Sequence, residues 1–569
     1  MAQAFTGKIR LGRINLVERK GKVAVGAAIF LVILIPTLYQ IYWKQNTPVD
    51  FYYPGFLISD QNTYTAIFRS VFDRGNGITY SYPYSAPGAD NPPVFFQLPF
   101  TLLAWLWKVT GNLLATWEIF RYAFGLGFLW MLYVLVSGLF VSFYPDDMKE
   151  RAAHSLLNTL FIILIFGAGL AWFIAAFRYG VTRLAGTPPP HAGFLESFID
   201  VESNYAGWIL NIFRNTFNPL EGIYHFFFFM AVVGVISEKR TLIIAGQVLT
   251  CLSGVFAGIE ISAILICFFA LEYLYTRQGR RLSQLVTSVL VFALFILYYK
   301  IFMEWFPISR NLVHQHLINI HGIIPLRCYF PAYGILLFSA PISLLDKKFR
   351  NMFFYRREGR LLFAWLIVVV CLSQNDKILA MQKSIQPAHF LRGYLYTVLF
   401  LISSLRFFPN LIRIARHNSL KVKIILAGLF LLMIPDNFLN LKMLWIYEPH
   451  PYFLIIPRDS KAVLDFLNTL PSQENILCSD IRLGDQIPAF THHSSVIAMY
   501  YATPFDDDKK RMSENFYENV DVEEFLQKYR ITSFIIPNGT KIPLDEKIER
   551  AEWKVLYEND TWKVYQIPH

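Results

Sequence analysis

The sequence predicts an α-helical polytopic membrane protein of about eleven spans, ending in an extracytoplasmic α/β domain. Three observations carry that expectation. Hydrophobic residues make up 54% of the 569 positions and charged residues only 16%, against about 25% charged in a soluble chain. The apolar residues gather into segments near the roughly 20 residues that cross a bilayer at 1.5 Å rise each. The segments stop near Trp445, after which composition becomes that of a soluble domain.

The same numbers exclude other classes. Apolar residues are too many for a disordered chain, and Gly and Pro too ordinary for a fibrous one. A net charge of +11 would suit nucleic acid, but in a membrane chain such an excess sits in cytoplasmic loops. The five Cys, 251, 267, 328, 371 and 478, have neither disulfide nor zinc spacing.

The first span covers about Val23–Trp43, behind Lys8, Arg10, Arg13, Arg19, Lys20 and Lys22. That start is too basic and too long for a cleaved signal, so a retained span with a cytoplasmic N-terminus is expected. Further spans are expected near 117–143, 156–176, 221–236, 241–257, 260–275, 283–303, 329–345, 361–374, 393–408 and 424–446. Alternation then places 24 of the 52 Lys and Arg in inner segments, as the positive-inside rule requires. The stretch Val94–Val109, opened by Pro92-Pro93 and broken by Pro99, is about 16 residues and reads as a helix at the outer surface. The expected domains are 1–446, with long outer loops 44–116 and 177–220, and a soluble domain 447–569.

In the first outer loop Ser59-Asp60 opens a helix. Tyr64, Ile67, Phe68, Val71 and Phe72 share one face, so a surface-lying amphipathic helix is expected, ended by Gly75. A carboxylate at its N-terminus is stabilised by the helix dipole. It serves as a base or metal ligand, or it simply caps the helix. Glu221 and His225 lie four apart at the outer end of a span, on one helix face, as a metal or acceptor pair or as an intrahelical hydrogen bond. Glu260 sits at another outer turn. In the tail, helices are expected over Asp459–Leu470 and Asp521–Tyr529. Strands are expected at Asn475–Ser479, Ser495–Tyr500 and Thr532–Pro537, and a hairpin joins Trp553–Glu558 to Thr561–Ile567 through Asn559-Asp560.

The order along the chain is a basic N-terminus, one span, an outer Asp at an amphipathic helix, Arg74-Gly75-Asn76-Gly77, a Tyr/Pro stretch and Asn91-Pro92-Pro93-Val94-Phe95. A second helix ending Val109-Thr110-Gly111 follows, and Arg121 opens the next span. This resembles the polyprenyl-phosphate-sugar-dependent glycosyltransferases of the GT-C fold, among them the protein mannosyltransferases and the aminoarabinose transferase of lipid A. Gln386-Pro387-Ala388-His389-Phe390-Leu391-Arg392-Gly393 resembles the Pro-x-Arg-Phe-x-x-Gly turn of that superfamily, except that Arg comes two residues after Phe. Ile481-Arg482-Leu483-Gly484-Asp485-Gln486-Ile487-Pro488 and the final hairpin resemble the outer domains of its bacterial members.

The resemblance implies transfer of a sugar from a polyprenyl-phosphate donor to a glycan, lipid or protein acceptor, with no part for nucleic acid. It implies that Asp60 acts at the acceptor. It implies that Asp200 and Glu202 form a second acidic site, which related enzymes often place in this loop, although two acids in a polar loop of that length are also unremarkable. The implied cations for the donor phosphate are Arg392, His389, Lys383 and Arg327, since Arg binds phosphate bidentately and Lys as a point charge. No cofactor is demanded. A metal, if used, would be Mg²⁺ or Mn²⁺ on Asp60, Asp200 and Glu202. The competing readings are a flippase for lipid-linked sugar and an O-antigen-type polymerase or ligase. No broken-helix pairs are legible in favour of the first, and no span follows Trp445 as the second requires. The expected location is the plasma membrane of a prokaryote. The sequons Asn538-Gly539-Thr540 and Asn559-Asp560-Thr561 would matter only in a eukaryotic lumen.

Overall fold

The computed structural model describes residues 19–144, 151–185, 193–203, 211–318, 326–378, 385–415, 419–446, 454–499, 501–518, 520–539 and 553–567. Two compact units divide the chain. The first comprises Met1–Thr37, Arg121–Phe295 and Asn319–Glu448, and the second Leu38–Phe120, Ile296–Ile318 and Pro449–His569.

Among the described residues, five helices are long and apolar enough to cross a membrane: Val23–Asn46, Leu113–Phe143, Val255–Thr276, Gly279–Trp305 and Pro387–Asn410. Two bent pairs bring the number to seven when each pair counts as one span. The protein is therefore an integral membrane protein by length and composition of its helices. The remaining expected spans fall on shorter helices. Glu221–Ile236 has 16 residues and Arg240–Ser253 has 14. The stretch expected as one span at 424–446 is two helices, Ser419–Met433 and Pro435–Ile446, because Pro435 interrupts the ladder.

The bent pairs correct the expectation that no span is broken. His154–Phe166 turns by 61° into Ala171–Leu184, and Leu326–Tyr333 turns by 89° into Leu336–Leu345. The two breaks in the first unit lie against each other. The Leu170 N–H donates to the Pro331 carbonyl at 2.7 Å. A Cβ on Gly169 would stand 1.9 Å from that same oxygen, so only glycine permits the approach. Asp436 serves the freed helix start, accepting from the N–H groups of Ala171 at 3.0 Å and Trp172 at 2.6 Å. The core of this unit is a continuous apolar cluster that includes Leu132, Phe161, Phe228, Trp365 and Phe400.

Basic residues of the expected inner loops meet two acids in this unit. Glu238 pairs with Arg281 at 2.9 Å and Arg357 at 2.7 Å, and Glu272 pairs with Arg360 at 2.5 Å. Glu272 is buried, so its charge is answered where water cannot reach it.

The second unit combines the first outer loop with the tail. Strand β1 (Phe51–Tyr52) pairs antiparallel with β2 (Ile456–Pro457). Strands β3 (Asn475–Cys478), β4 (Ser494–Ser495), β5 (Ser533–Pro537), β6 (Lys554–Glu558) and β7 (Trp562–Gln566) form one sheet in the order β4-β3-β5-β7-β6. The β3 strand is parallel to β4 and β5, and the remaining pairs are antiparallel. The Asn559 N–H donates to the Trp562 carbonyl at 3.0 Å and closes the expected hairpin. Of the strand expected over Ser495–Tyr500, only Ser495 lies in β4. Two helices, Ile481–Phe490 and Asp506–Tyr517, have no counterpart among the elements expected in the tail.

Candidate functional site

The first-loop helix runs Gln61–Asp73. It is not a surface helix with one dry face. Gln61, Asn62, Thr63 and Thr65 are buried as well as Ala66, Phe68 and Val71, because the Ile481–Phe490 helix of the tail packs on its polar side. The following turn is built for close approach. Arg74 is buried and donates to the carbonyls of Pro83 at 2.9 Å and His492 at 3.3 Å, and also to that of His493. Burial lowers its guanidinium to about 10. A Cβ on Gly75 would lie 2.0 Å from the Thr79 carbonyl. The Asn91 side chain exchanges two hydrogen bonds with the Tyr82 backbone, at 2.8 and 2.9 Å, and so fixes the Tyr/Pro stretch.

Asp60 occupies the N-cap position, in helical conformation, and makes no side-chain cap. Its carboxylate is held otherwise. Oδ1 accepts from the Tyr501 hydroxyl at 2.9 Å, and Oδ2 lies 3.5 Å from the Tyr64 hydroxyl. The residue is half-buried. A carboxylate with this access and orientation can take a proton.

One turn along, the Thr63 hydroxyl donates to Oδ1 of Asp485 at 3.1 Å, and the Tyr84 hydroxyl donates to the same oxygen at 2.8 Å. Asp485 is buried. Burial pushes its carboxyl up to about 7, the nearby charge of Asp60 adds to this, and the two hydroxyls oppose it. Tyr84 is fixed from its other end by Lys509, whose ammonium donates to the Tyr84 carbonyl at 3.0 Å. Burial lowers Lys509 to about 7. Sequence reasoning missed Asp485 as a functional group. Nothing in its local sequence marked it, since Arg482 and Gln486 share the same helix.

The first unit holds a second group of the expected residues. The Arg392 guanidinium forms an ion pair with Glu221 and a hydrogen bond with the His389 ring. It also lies over the Tyr224 ring, 5.8 Å from its centroid. Phe256 stacks on His389 with centroids 4.5 Å apart. His225 is fully buried and bonds the Tyr394 hydroxyl at 3.0 Å and the Asn215 side chain at 3.3 Å. Gly393, at φ +79°, turns the chain from Arg392 into the next helix. Glu260 is fully buried, neither of its carboxylate oxygens is hydrogen-bonded among the described residues, and Arg392 is close enough to act on it electrostatically.

The other expected residues stand apart from this group. Arg327 is exposed, in the short turn Leu326–Cys328. Asp200 and Glu202 lie in the helix Phe194–Ser203, and their side chains are outside the described residues. Lys383 also lies outside the described residues, as does Thr540 of the first sequon. Among the described residues no group of three or more His, Cys, Asp or Glu is placed to hold a metal ion.

No family model matches the chain, and no curated protein matches it either. Solved structures do. The oligosaccharyltransferase of Archaeoglobus fulgidus, crystallised with a tethered acceptor peptide containing the NVT sequon, superposes with a TM-score of 0.48 at 13% identity, covering 90% of this chain and 69% of that one. ArnT from Cupriavidus metallidurans in the apo state gives 0.41 at 13% identity over 95% of this chain and 98% of that one. ArnT bound to undecaprenyl phosphate gives 0.40 at 12% identity over 94% and 97%.

Proposed function

We propose that the chain is a membrane glycosyltransferase. It moves a sugar from a polyprenyl-phosphate donor to a glycan, lipid or protein acceptor on the extracytoplasmic face of a plasma membrane. The observation that carries the reading is the state of Asp60. It heads its helix without capping it, and two tyrosine hydroxyls hold it half-exposed instead. The order of motifs around it supports the same class.

In this reading Asp60 accepts the acceptor's O–H or N–H proton while the acceptor atom forms a bond to the sugar's anomeric carbon. The bond from that carbon to the phosphate oxygen breaks, and its electron pair leaves with the polyprenyl phosphate. A base must lie within about 3 Å of the proton it takes, directly or through one water. Arg392 and His389 meet the phosphate charge. Glu221 holds the guanidinium in one orientation, so that little ordering is left to do when the phosphate binds. Lys383 and Arg327 are accessory cations, and Asp200 and Glu202 a second acidic element. Residues 1–446 form the membrane part and 447–569 the outer part.

Purified protein in detergent, offered a panel of polyprenyl-phosphate sugars and of nucleotide sugars with candidate acceptors, tests the reading. Transfer is expected from the lipid carriers alone. Efficient transfer from a nucleotide sugar without lipid would defeat it. The bent helix pairs, packed against each other through Leu170 and Pro331, favour a second reading as a carrier of lipid-linked sugar. That reading gains if the protein moves such a lipid across vesicles while transferring and hydrolysing nothing.

A further inference from the structure

A cleft in the first unit brings cations and exposed aromatic rings together at the end of a span. It lies at the C-terminal end of the membrane-crossing helix Val255–Thr276, has a volume of about 450 Å³ and is lined by Tyr275, Arg350, Asn351, Phe354 and Tyr355. We propose that this cleft binds the headgroup of an anionic phospholipid. The proposal goes beyond the glycosyltransferase reading and does not depend on it.

The sequence builds one wall as an amphipathic helix, Lys347–Tyr355. At about 100° per residue, Phe349 and Phe353 fall on one side, and both are buried in the apolar core. Lys347, Arg350, Asn351 and Tyr355 fall on the other side and are exposed. The second wall is the last turn of the span, where Tyr275 is 56% and Leu274 58% exposed. Arg360 ties the two walls together. It is buried, donates to the carbonyls of Phe354 at 2.7 Å and Tyr355 at 2.6 Å, and pairs with Glu272 of the span at 2.5 Å. Its guanidinium also lies over the Tyr275 ring, 4.2 Å from the centroid. The cleft is thus fixed before a ligand arrives, and binding has little ordering left to do.

The charge at this end is one-sided. Its carboxylates are committed: Glu238 to Arg281 and Arg357, Glu272 to Arg360, and Asp346 to Arg406 and the Phe349 N–H. Glu358 acts electrostatically on Arg357. Among the described residues, the side chains of Lys347, Lys348 and Arg350 make no hydrogen bond or ion pair. A phosphodiester supplies the missing anion. Arg350 meets it as a fork and Lys347 as a point charge, while Asn351 and the hydroxyls of Tyr275 and Tyr355 suit its ester and glycerol oxygens. The exposed Leu274 beside Tyr275 gives the acyl chains an apolar path, which a soluble phosphate does not need. A zwitterionic lipid brings its own ammonium and leaves the cations unanswered. Basic pockets between spans bind anionic headgroups for these reasons, and on the expected topology this end faces the cytoplasmic leaflet, where such lipids concentrate.

Native mass spectrometry of the full-length protein released from detergent tests the proposal. The probes are phosphatidylglycerol, phosphatidylcholine with the same acyl chains, a polyprenyl phosphate and soluble glycerol phosphate. The protein should retain one phosphatidylglycerol in preference to phosphatidylcholine and should not retain glycerol phosphate. Arg350→Gln and Lys347→Gln should each weaken phosphatidylglycerol about fivefold, and the double variant about 25-fold. Both positions are exposed, so the fold should tolerate either change. Lys239→Gln removes an exposed cation that does not line the cleft and should leave the affinity unchanged. Equal retention of the two phospholipids, wild-type affinity in the double variant, or an equal loss in Lys239→Gln overturns the proposal. Retention of glycerol phosphate would give the cleft to a soluble anion, and displacement of phosphatidylglycerol by polyprenyl phosphate would give it to the carrier lipid. Either result overturns the assignment to a phospholipid. Sugar transfer is read separately, so the glycosyltransferase reading stands or falls on its own assay.

Discussion

Tyr501 donates its hydroxyl proton to Asp60 at 2.9 Å, across a separation of 441 residues in the chain. A group at the start of the first outer loop is thereby oriented by a residue of the tail. Asp60→Asn keeps the size of the side chain and removes its basicity. Sugar transfer should fall by about 10²–10⁴-fold. Tyr501→Phe leaves the base but frees its orientation and should lose about tenfold. Turnover of Asp60→Asn within a factor of two of wild type would make Asp60 a structural residue.

Glu221 and Arg392 should behave as a coupled pair. Replacing either by Gln alone leaves a buried charge without its partner, which costs about 3–5 kcal/mol. Replacing both removes the charges together and should restore most of the loss. Thermal unfolding in detergent of the two single variants and the double variant closes the cycle. Additive losses would show that the pair contributes nothing as a pair. Donor turnover should stay low in Arg392→Gln and in the double variant, because both lack the cation proposed to meet the donor phosphate.

The second unit should show two opposed pH dependences of stability. Asp485, raised to about 7 in the folded protein, keeps a proton that the unfolded chain releases near its ordinary value of 3.8. Its contribution to stability therefore falls as pH rises from about 4 to 7. Asp485→Asn should gain on wild type across that window and hold level above it. Lys509, lowered to about 7 from 10.5, binds less proton when folded, so its contribution rises with pH between those values. The advantage of Lys509→Met over wild type should shrink over the same range. Unfolding midpoints of the three proteins from pH 4 to 10 decide this, and parallel curves would refute both shifts.

The expected topology places the N-terminus inside and residues 447–569 outside. A reporter joined after His569 that works only in the extracytoplasmic space should be active, and one that works only in the cytoplasm silent. The reverse result would invert the assignment of the basic loops.

Parts of this structure were legible from local pattern. The tail strands at Asn475–Cys478, Ser533–Pro537 and the final hairpin followed from short apolar runs and the Asn559-Asp560 turn. The helix behind Asp60 followed from its apolar face and the glycine after it. Other parts were not legible, for physical reasons. The breaks at Gly167–Leu170 and Gly334-Ile335 have apolar sequence on both sides, so hydropathy runs straight through them. They form because distant backbone carbonyls such as that of Pro331 receive the freed N–H groups. The burial of Thr63 and Thr65 depends on a tail helix whose polar contacts arise only in the fold. Asp485 gave no signal because its meaning lies in Thr63 and Tyr84, each more than 400 residues away.

The pairing of Phe51–Tyr52 with Ile456–Pro457, and of Asp60 with Tyr501, sets an order of events during biosynthesis. At about 5–20 residues per second, the 441 residues between Asp60 and Tyr501 take about 20–90 s to synthesise. Throughout that interval the first outer loop has left the ribosome without its sheet partner, its arginine acceptors at His492 and His493, or the hydroxyl that orients its carboxylate. A nascent chain that stops short of Tyr501 leaves Asp60 without the hydroxyl at 2.9 Å. The first loop therefore gains its strand partner and its tyrosine contact only after residues 456–501 have been made.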